Sequence, residues 1–219
     1  MRERRSRLRG KKRAIVSLYR HPPRRGQIVC FDELGPRQTI PRGGRAWGQR
    51  PQRRPDRYQR NGTLQWFGAF CPTTGLAVGK GFPHRSAVEC RAFWEQYLFP
   101  FWPQGPIHLV LDNLQVHTCA LRQLPARLRR RLRIYWTPTN GSWLNLIESY
   151  FSTLKDTGLA NTYHRTPDAI DQGLSEAMLS GVNYFFRRRQ LELPLWVGGI
   201  RRVLTCLDVH PIGSPLPLT

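Results

Sequence analysis

Three carboxylates in this 219-residue chain occupy positions from which they could act together. Asp32 and Asp112 each end an apolar run, at 27–31 and 107–111, and such runs are typical of strands buried in a sheet. Glu148 borders an apolar stripe with helical spacing. The members of that stripe are Trp143, Ile147, Tyr150, Phe151 and Leu154. Because open α/β sheets hold their reactive groups outside the carboxyl ends of the strands, we expect the three acids to converge there.

A cluster of three carboxylates indicates a divalent cation. Packed carboxylates raise one another's pKa unless a cation joins them, and Mg²⁺, or Mn²⁺ as a substitute, prefers carboxylate oxygen. Two such ions about 3.5–4 Å apart can activate a water and stabilise a leaving oxygen, as phosphodiester hydrolysis requires. We assign Asp32 to both ions, Asp112 to one and Glu148 to the other. Alternation along the strand points the neighbouring Glu33 to the opposite face, which favours a structural role.

The distribution of charge suggests the partner. The formal net charge is +21, and residues 1–25 hold eleven Lys or Arg against one acid, while residues 36–63 hold eight Arg against one acid. A solvated surface normally mixes both signs, so this concentration favours a polyanion, and nucleic acid before an anionic membrane. A basic ribosome-associated protein is the alternative, but it has no need of clustered carboxylates.

The sequence also predicts a cytoplasmic location. No run of eighteen apolar residues exists and the basic amino terminus has no apolar region behind it, so we expect neither a membrane span nor a secretory signal. The five cysteines are odd in number and lack a C-x-x-C pair, which favours reduced thiols over disulfides or a zinc site.

Periodicity and turn signals predict the elements that hold the acids. Three strands are expected at 27–31, 64–71 and 76–82. Turn signals at 61–62 and 73–75 separate them, which favours an antiparallel meander.

The second half of the chain alternates between helix and strand. Ser86 and Glu89 form a capping box that opens a helix ending before Pro100. The elements that follow are a strand at 107–112, a helix at 118–131, a strand at 133–137, the helix of Glu148, and a helix opened by Thr166, Pro167 and Asp168. The order is therefore β-β-β-α-β-α-β-α-α. The aromatic residues Trp143, Tyr150 and Phe151 are expected to pack in the core.

This order of elements and acids resembles the ribonuclease H-like fold of DDE transposases and integrases, an α/β fold with a five-stranded mixed sheet flanked by helices. The resemblance is most specific at CFDE (30–33), LDNLQVH (111–117) and TPTNGSWLNLIESYFSTLK (137–155). These motifs look like the catalytic signatures of the bacterial insertion sequence six-thirty group of the mariner superfamily. The 35 residues between Asp112 and Glu148 match the short separation expected of that group.

The resemblance implies a DNA transposase. Such an enzyme hydrolyses one strand at the transposon end and then uses the freed 3′ hydroxyl to attack target DNA, without a covalent protein intermediate. Because two ends must be handled together, the resemblance also implies a homodimer on DNA.

The expected DNA contacts come from the basic insertion and from the motifs. Prolines deny the segment 36–63 a central strand, so we expect an extended insertion whose arginines contact phosphates. Polar side chains close to the acids are expected to hold the reacting strand, although a structural role is the alternative for His117. The full set is Arg37, Arg42, Arg45, Arg50, Arg53, Arg54, Asn113, His117, Asn145 and Lys155.

Three regions are expected along the chain. A basic arm or linker at 1–25 precedes a catalytic domain at 26–190, and an extension at 191–219 has an end expected to be disordered. Members of the family carry helix-turn-helix domains ahead of the catalytic domain, whereas about 25 residues precede the first strand here. We therefore expect a separate helix-turn-helix polypeptide of the same element as a partner. Two other functions remain open: an inactive relic that only binds DNA, and a ribonuclease H-like nuclease.

Overall fold

The computed structural model of the chain describes residues 2–40, 61–139, 141–160 and 162–189, with side chains described between residues 8 and 180 of these ranges. The chain divides into two compact units, 1–183 and 184–219, and of the second only the backbone at 184–189 is described. Most of the basic insertion and the carboxyl-terminal extension therefore lie outside the described residues. Within the described ranges, no helix has the length and apolar character needed to cross a bilayer.

Five strands form one mixed sheet, which confirms the predicted fold class. The strands are β1 (Gln27–Gln38), β2 (Thr63–Phe70), β3 (Ala77–Phe82), β4 (Ile107–Leu111) and β5 (Leu132–Trp136). Their spatial order is β3-β2-β1-β4-β5. The first three pair antiparallel as the predicted meander, whereas β4 is parallel to β1 and to β5.

Helices cover both faces of the sheet. They are α1 (Arg2–Arg20), α2 (Ala87–Phe93), α3 (Phe99–Phe101), α4 (Gln115–Gln123), α5 (Ala126–Arg129), α6 (Ile147–Gly158) and α7 (Pro167–Arg189). A π-helical turn, Trp94–Leu98, joins α2 to α3, and a 3-10 turn, Ser142–Leu144, precedes α6.

Strand β1 is longer than the sequence predicts. It continues past Phe31 to Gln38, with a register shift between Leu34 and Arg37. Strand β4 pairs with β1 only as far as Cys30, so the later half of β1 has a single strand neighbour. A proline is tolerated at such an edge and at a bulge, which explains why Pro36 does not end the strand.

One face of the sheet carries the main apolar core. The ring of Phe31 lies 5.5 Å from that of Phe93 and 5.4 Å from that of Trp94, both on the helical segment that begins with α2. The predicted capping box of Ser86 and Glu89 is confirmed at its start. The sequence predicts that this helical segment ends before Pro100, but it continues to Phe101. The π turn widens the helix at the point where the proline ring would otherwise clash with the preceding turn.

One other helical prediction needs correction, and the basic arm contains a long helix rather than a short one. The single helix expected at 118–131 is two helices, because Pro125 interrupts it between α4 and α5. The basic arm expected at 1–25 is largely the 19-residue helix α1. Its residues Ile15 and Leu18 are buried, and the helix packs beside β5 and the 3-10 turn.

Helix α6 begins later than the aromatic spacing suggests. The buried side chains of Tyr150 and Phe151 confirm the prediction of core packing for these two residues. Trp143 precedes the helix, in the 3-10 turn, and its side chain is 60% exposed. The prediction of core packing is therefore wrong for Trp143.

Helix α7 begins as the sequence predicts and is fixed to the sheet by Asp171. The hydroxyl of Thr166 accepts a hydrogen bond from the backbone N–H of Ala169, which caps the first turn. The carboxylate of Asp171 accepts hydrogen bonds from Trp66 Nε1 at 2.9 Å and from Lys80 Nζ at 2.5 Å.

Candidate active site

Strand register places Asp32 and Asp112 side by side. Strands β1 and β4 are parallel, and Cys30 pairs with Val110. Each aspartate lies two positions beyond this last β1–β4 pair, so the two lie level where the two strands stop pairing with each other. Neighbouring strands lie about 4.8 Å apart, which brings the two carboxylates within range of mutual repulsion.

Helix α6 covers the face of the sheet to which Asp32 points. Asp32 is the antiparallel partner of Gly68, and directly opposite residues share a face. A Cβ atom on Gly68 would lie 2.7 Å from Cε1 of Phe151, so α6 packs against this point of the sheet. The ring of Tyr150 stacks on that of Phe70 at 4.7 Å between centroids, which fixes the helix. Glu148 is therefore on the same side of the sheet as Asp32.

Asp32 is partly buried and close to other acids. Burial raises the pKa of its carboxyl to about 7, and the negative charges of Glu33 and Asp112 act in the same direction. A hydrogen bond of 2.8 Å from the backbone N–H of Glu33 to Asp32 Oδ1 opposes this rise. Near neutral pH the carboxyl of Asp32 is therefore divided between its protonated and ionised forms.

Asp112 stays ionised because a histidine faces it. Burial favours the protonated acid, but hydrogen bonding to His117 and the charge of His117 hold the pKa of Asp112 below its usual value. The separation between His117 Nδ1 and Asp112 Oδ1 is 2.9 Å, and the backbone N–H of Leu114 donates to the same oxygen at 3.2 Å. The exposed Arg85 adds a smaller effect in the same direction.

The same histidine pairs with a second acid on its other side. His117 Nε2 lies 2.8 Å from Oε1 of Glu33, and the two side chains are 0% and 2% exposed. Burial opposes a charge on His117, yet the two carboxylates raise its pKa to about 10. Near neutral pH the buried imidazolium therefore donates both of its N–H groups to carboxylates. The position of Glu33, on the opposite face from Asp32, agrees with the sequence prediction.

Among the described residues, one group of side chains has three possible metal-ligand atoms within 4.8 Å of one another: Glu33, Cys90 and His117. Burial strongly raises the pKa of the Cys90 thiol, so it remains protonated. Both nitrogens of His117 are already paired with carboxylates. These properties fit a buried ion pair better than a metal centre.

The acids predicted to hold metal do not form such a group in the described part of the chain. Asp32 and Asp112 interact electrostatically, whereas the side chain of Glu148 is exposed in the first turn of α6. The residues nevertheless fit a hard cation chemically, because all three offer carboxylate oxygens and the pKa of Asp32 is raised by burial and by neighbouring acids.

Comparison with known proteins identifies the family. The family model described as DDE superfamily endonuclease matches residues 27–171, which is more than half of the chain. This chain belongs to the DDE endonuclease superfamily.

Solved structures show the same fold for this DDE endonuclease. A Mos1 transposase paired-end complex with the left transposon end matches with a TM-score of 0.54 and 13% identity, over 86% of this chain and 60% of that one. A Mos1 mariner paired-end complex with Mn matches with a TM-score of 0.50 and 15% identity, over 83% and 59%. The DDE endonuclease chain thus spans about three-fifths of the length of these chains. No curated protein matches it.

Two residues of the DDE endonuclease that were expected to contact DNA are buried. His117 is enclosed between Asp112 and Glu33, and Asn145 is 1% exposed. The side-chain amide of Asn145 donates a hydrogen bond of 2.9 Å to the backbone carbonyl of Phe31, next to Asp32. Burial of these two side chains argues against direct DNA contact in this conformation, and their predicted role stays a prediction. His117 orients Asp112, and Asn145 fixes the turn before α6 against β1.

The other predicted DNA contacts divide into three groups. Asn113 is exposed; its side-chain amide donates to the carbonyl of Thr137 and its oxygen accepts from Lys11 Nζ at 3.1 Å. Arg37 and Lys155 are partly exposed. The remaining five lie outside the described residues: Arg42, Arg45, Arg50, Arg53 and Arg54.

Sequence reasoning missed the contribution of α1 to the site of this endonuclease. Lys11 of α1 contacts Asn113, and the hydroxyl of Tyr19 donates to the carbonyl of Leu144 at 2.8 Å. The helical spacing of the apolar residues at 8, 15, 18 and 19 is the sequence signal that indicates helix α1.

Proposed function

We propose that this DDE endonuclease is the catalytic domain of a DNA transposase. It hydrolyses a phosphodiester bond at a transposon end and then joins the freed 3′ hydroxyl to target DNA. The observation that supports this most strongly is the placement of Asp32 and Asp112 on adjoining parallel strands, with α6 and its Glu148 over the same face. The fold shared with a transposase paired-end complex is consistent with it.

Divalent metal ions are part of this proposal. Asp32, Asp112 and Glu148 would hold two Mg²⁺ or Mn²⁺ ions, which supply a nucleophilic water and stabilise the leaving oxygen. The exposed side chain of Glu148 has three rotatable bonds, and repulsion from the other acids is relieved once cations are present. The similar Mos1 mariner paired-end complex with Mn supports a divalent ion by analogy.

The chain's own residues prepare this site before any ion arrives. The buried imidazolium of His117 keeps Asp112 ionised and fixes one of its oxygens. The backbone N–H of Glu33 fixes an oxygen of Asp32 in the same way. Asn145 joins the turn before α6 to the backbone next to Asp32, so the helix of Glu148 is fixed relative to the first acid.

DNA is the proposed partner, held mainly by positive charge. Helix α1 carries nine Lys or Arg and a single acid, and its Lys11 reaches Asn113 beside Asp112. Basic side chains near the acids would contact the phosphates on both sides of the reacting bond. We also propose that the chain acts as a homodimer on DNA and that a separate helix-turn-helix polypeptide recognises the terminal repeats.

A catalytically inactive DNA-binding protein is the competing candidate. The observation in its favour is that Glu148 is exposed and does not join the other two acids within 4.8 Å in the described part of the chain. Such a relic would bind DNA through its basic segments alone, with a steep dependence on salt. A ribonuclease H-like nuclease is a further alternative, for which cleavage of RNA in a hybrid duplex would be the sign.

Strand cleavage distinguishes these candidates. The purified full chain is incubated with a labelled duplex that carries the repeats flanking its gene, with Mg²⁺, with Mn²⁺ and with a chelator. We expect nicking that requires the metal and is lost in Asp112→Asn and Glu148→Gln, while DNA binding by both variants is retained. Tight binding by the wild-type chain without any nicking would favour the relic, and cleavage confined to RNA–DNA hybrids would favour the ribonuclease.

A further inference from the structure

An exposed tryptophan stands beside the proposed active site. The side chain of Trp143 is 60% exposed, whereas Trp66, Trp94 and Trp102 are buried. Single apolar side chains on a surface are common and need no explanation by themselves. The surroundings of Trp143 are what distinguish it.

The backbone directly after Trp143 is fixed by two hydrogen bonds. Leu144, the next residue, is buried and its carbonyl accepts a hydrogen bond of 2.8 Å from the hydroxyl of Tyr19. Asn145, one residue further on, donates to the carbonyl of Phe31 at 2.9 Å. The ring is therefore presented from a rigid turn, which reduces the entropy lost when a ligand stacks on it.

One hydrogen bond and a short sequence separation link Trp143 to two of the proposed catalytic acids, Asp32 and Glu148. Through Asn145 and Phe31 it is linked to Asp32, which follows Phe31 directly. Glu148 follows Trp143 by five positions. Trp143 therefore belongs to the same part of the fold as these acids, where a strand bound at them can reach it.

Positive charge lies over one face of the same ring. Lys12 Nζ lies 5.0 Å from the centroid of the Trp143 ring. The adjoining Lys11 donates a hydrogen bond to Asn113, the residue after Asp112. A ring with an ammonium group over one face leaves its other face for a base, while the ammonium group can bind the phosphate of the same nucleotide.

The exposed ring of Trp143 suits an unpaired base better than a base within a duplex. A base inside a duplex has both of its faces covered by neighbouring bases, so it cannot stack on a fixed protein ring. An unpaired base offers a free face, and enzymes that work on DNA ends or on single bases frequently unstack a nucleotide to reach their target. The ligand that fits Trp143 is therefore a base that has left the duplex.

We infer that Trp143 is a stacking site for an unpaired base next to the reacting phosphate, with Lys12 on the adjoining backbone phosphate. The inference rests on the proposed function, because it takes DNA as the substrate of the neighbouring acids. It assigns to this turn the separation of the strands at the DNA end.

A binding experiment without divalent metal tests the inference apart from catalysis. Two duplexes of equal length carry 2-aminopurine near one end, in one duplex fully paired and in the other within a two-nucleotide unpaired flap. The full chain is titrated against both, and the affinity and the 2-aminopurine fluorescence are recorded. We expect the wild-type chain to bind the flap about ten-fold more tightly and to quench its fluorescence.

Matched variants assign the effect to Trp143. Trp143→Ala should remove both the preference for the flap and the quenching, whereas Trp143→Phe should retain most of each. Val88→Ala is the control, because Val88 is also 60% exposed but lies on α2. It should leave both measurements unchanged. Lys12→Ala should weaken binding to both duplexes.

The outcomes separate this inference from the proposed function. If the wild-type chain shows no preference, or if Trp143→Ala keeps the preference and the quenching, the stacking site is overturned even when metal-dependent nicking is observed. A preference that depends on Trp143 supports the site even when nicking is absent, in which case only the proposed activity fails. Circular dichroism of each variant confirms that the chain is folded.

Discussion

His117 lies between Asp112 and Glu33, with Nδ1 2.9 Å from an oxygen of the first and Nε2 2.8 Å from an oxygen of the second. Its side chain is completely buried. One imidazolium thus connects an acid of the proposed active site to an acid on the opposite face of the sheet. Because a buried charge is costly unless it is paired, each of the three groups depends on the other two.

Removing the histidine should therefore damage both stability and activity. In His117→Ala, two carboxylates lose their cation, and Glu33 is left buried without a partner. Breaking a buried pair in this way costs about 3–5 kcal/mol of unfolding free energy. Chemical denaturation of the metal-free variant measures the loss.

A double variant separates folding from function. His117→Phe combined with Glu33→Leu replaces the ion pair by apolar side chains next to the ring of Phe31, which contacts His117 at 5.4 Å between centroids. Stability should largely return, because buried pairs are often replaceable by apolar groups. Nicking should stay low, because Asp112 still lacks its donor. Recovery of both properties together would mean that His117 serves the fold alone.

The stability of the metal-free chain should depend on pH through Asp32. Its pKa is about 7 in the folded chain and near 3.8 in the unfolded chain. Between these values the folded chain retains a proton that the unfolded chain has lost, so this group lowers stability as pH rises. Asp32→Asn removes the effect. We expect the variant to melt above the wild-type chain at pH 8 and to lose most of that advantage at pH 4, as measured by differential scanning calorimetry in chelator.

The affinity for metal should rise with pH, because the same carboxyl of Asp32 must lose its proton to bind a cation. A cation that binds Asp32 must displace the proton, so below pH 7 the affinity for Mn²⁺ should fall about ten-fold for each unit of pH. His117 does not add to this dependence, because its pKa of about 10 keeps it charged throughout the range. Isothermal titration of Mn²⁺ between pH 5.5 and pH 8 measures the slope. A flat profile would contradict a metal-binding Asp32 with a raised pKa.

A single methyl group should displace the helix of Glu148. In Gly68→Ala the new Cβ would lie 2.7 Å from Cε1 of Phe151, so α6 has to move or its ring has to rotate. We expect a loss of about 1–3 kcal/mol of unfolding free energy and a clear loss of nicking.

Two further variants test the reason for that loss. Adding Phe151→Leu to Gly68→Ala removes the ring that is struck, so both stability and nicking should recover in part. Gly10→Ala is the control, because a Cβ there meets nothing within 4 Å. It should be neutral or slightly stabilising in the exposed middle of α1. Full activity of Gly68→Ala alone would contradict the proposed dependence on the position of α6.

Local patterns predict much of this fold. The apolar runs before Asp32 and Asp112 identify two central strands, because parallel strands in a covered sheet are apolar on both faces. The capping box of Ser86 and Glu89 identifies the start of α2, because its two hydrogen bonds form within four residues. Such signals are local, and a sequence displays them directly.

The burial of His117 and Asn145 was not predicted, because it depends on contacts between distant parts of the chain. Glu33, one of the two partners of His117, is 84 positions away, and the carbonyl that Asn145 binds is 114 positions away. Nothing near either residue in the sequence indicates that it is buried. The full length of helix α1 was not predicted, because Lys11 and Lys12 interrupt its apolar stripe. The exposure of Trp143 was not predicted, because the helical spacing of the aromatic residues extends beyond the true start of α6.

In the proposed active site, Asp32, Asp112 and Glu148 share divalent ions. Crystals of the full chain grown with Mn²⁺ test this arrangement directly through the anomalous difference map at the manganese edge. We expect peaks between the carboxylates of Asp32 and Asp112, with Glu148 turned inward to reach one of them. Peaks at Glu33, Cys90 and His117 instead, or none near Asp32 at saturating Mn²⁺, would contradict it.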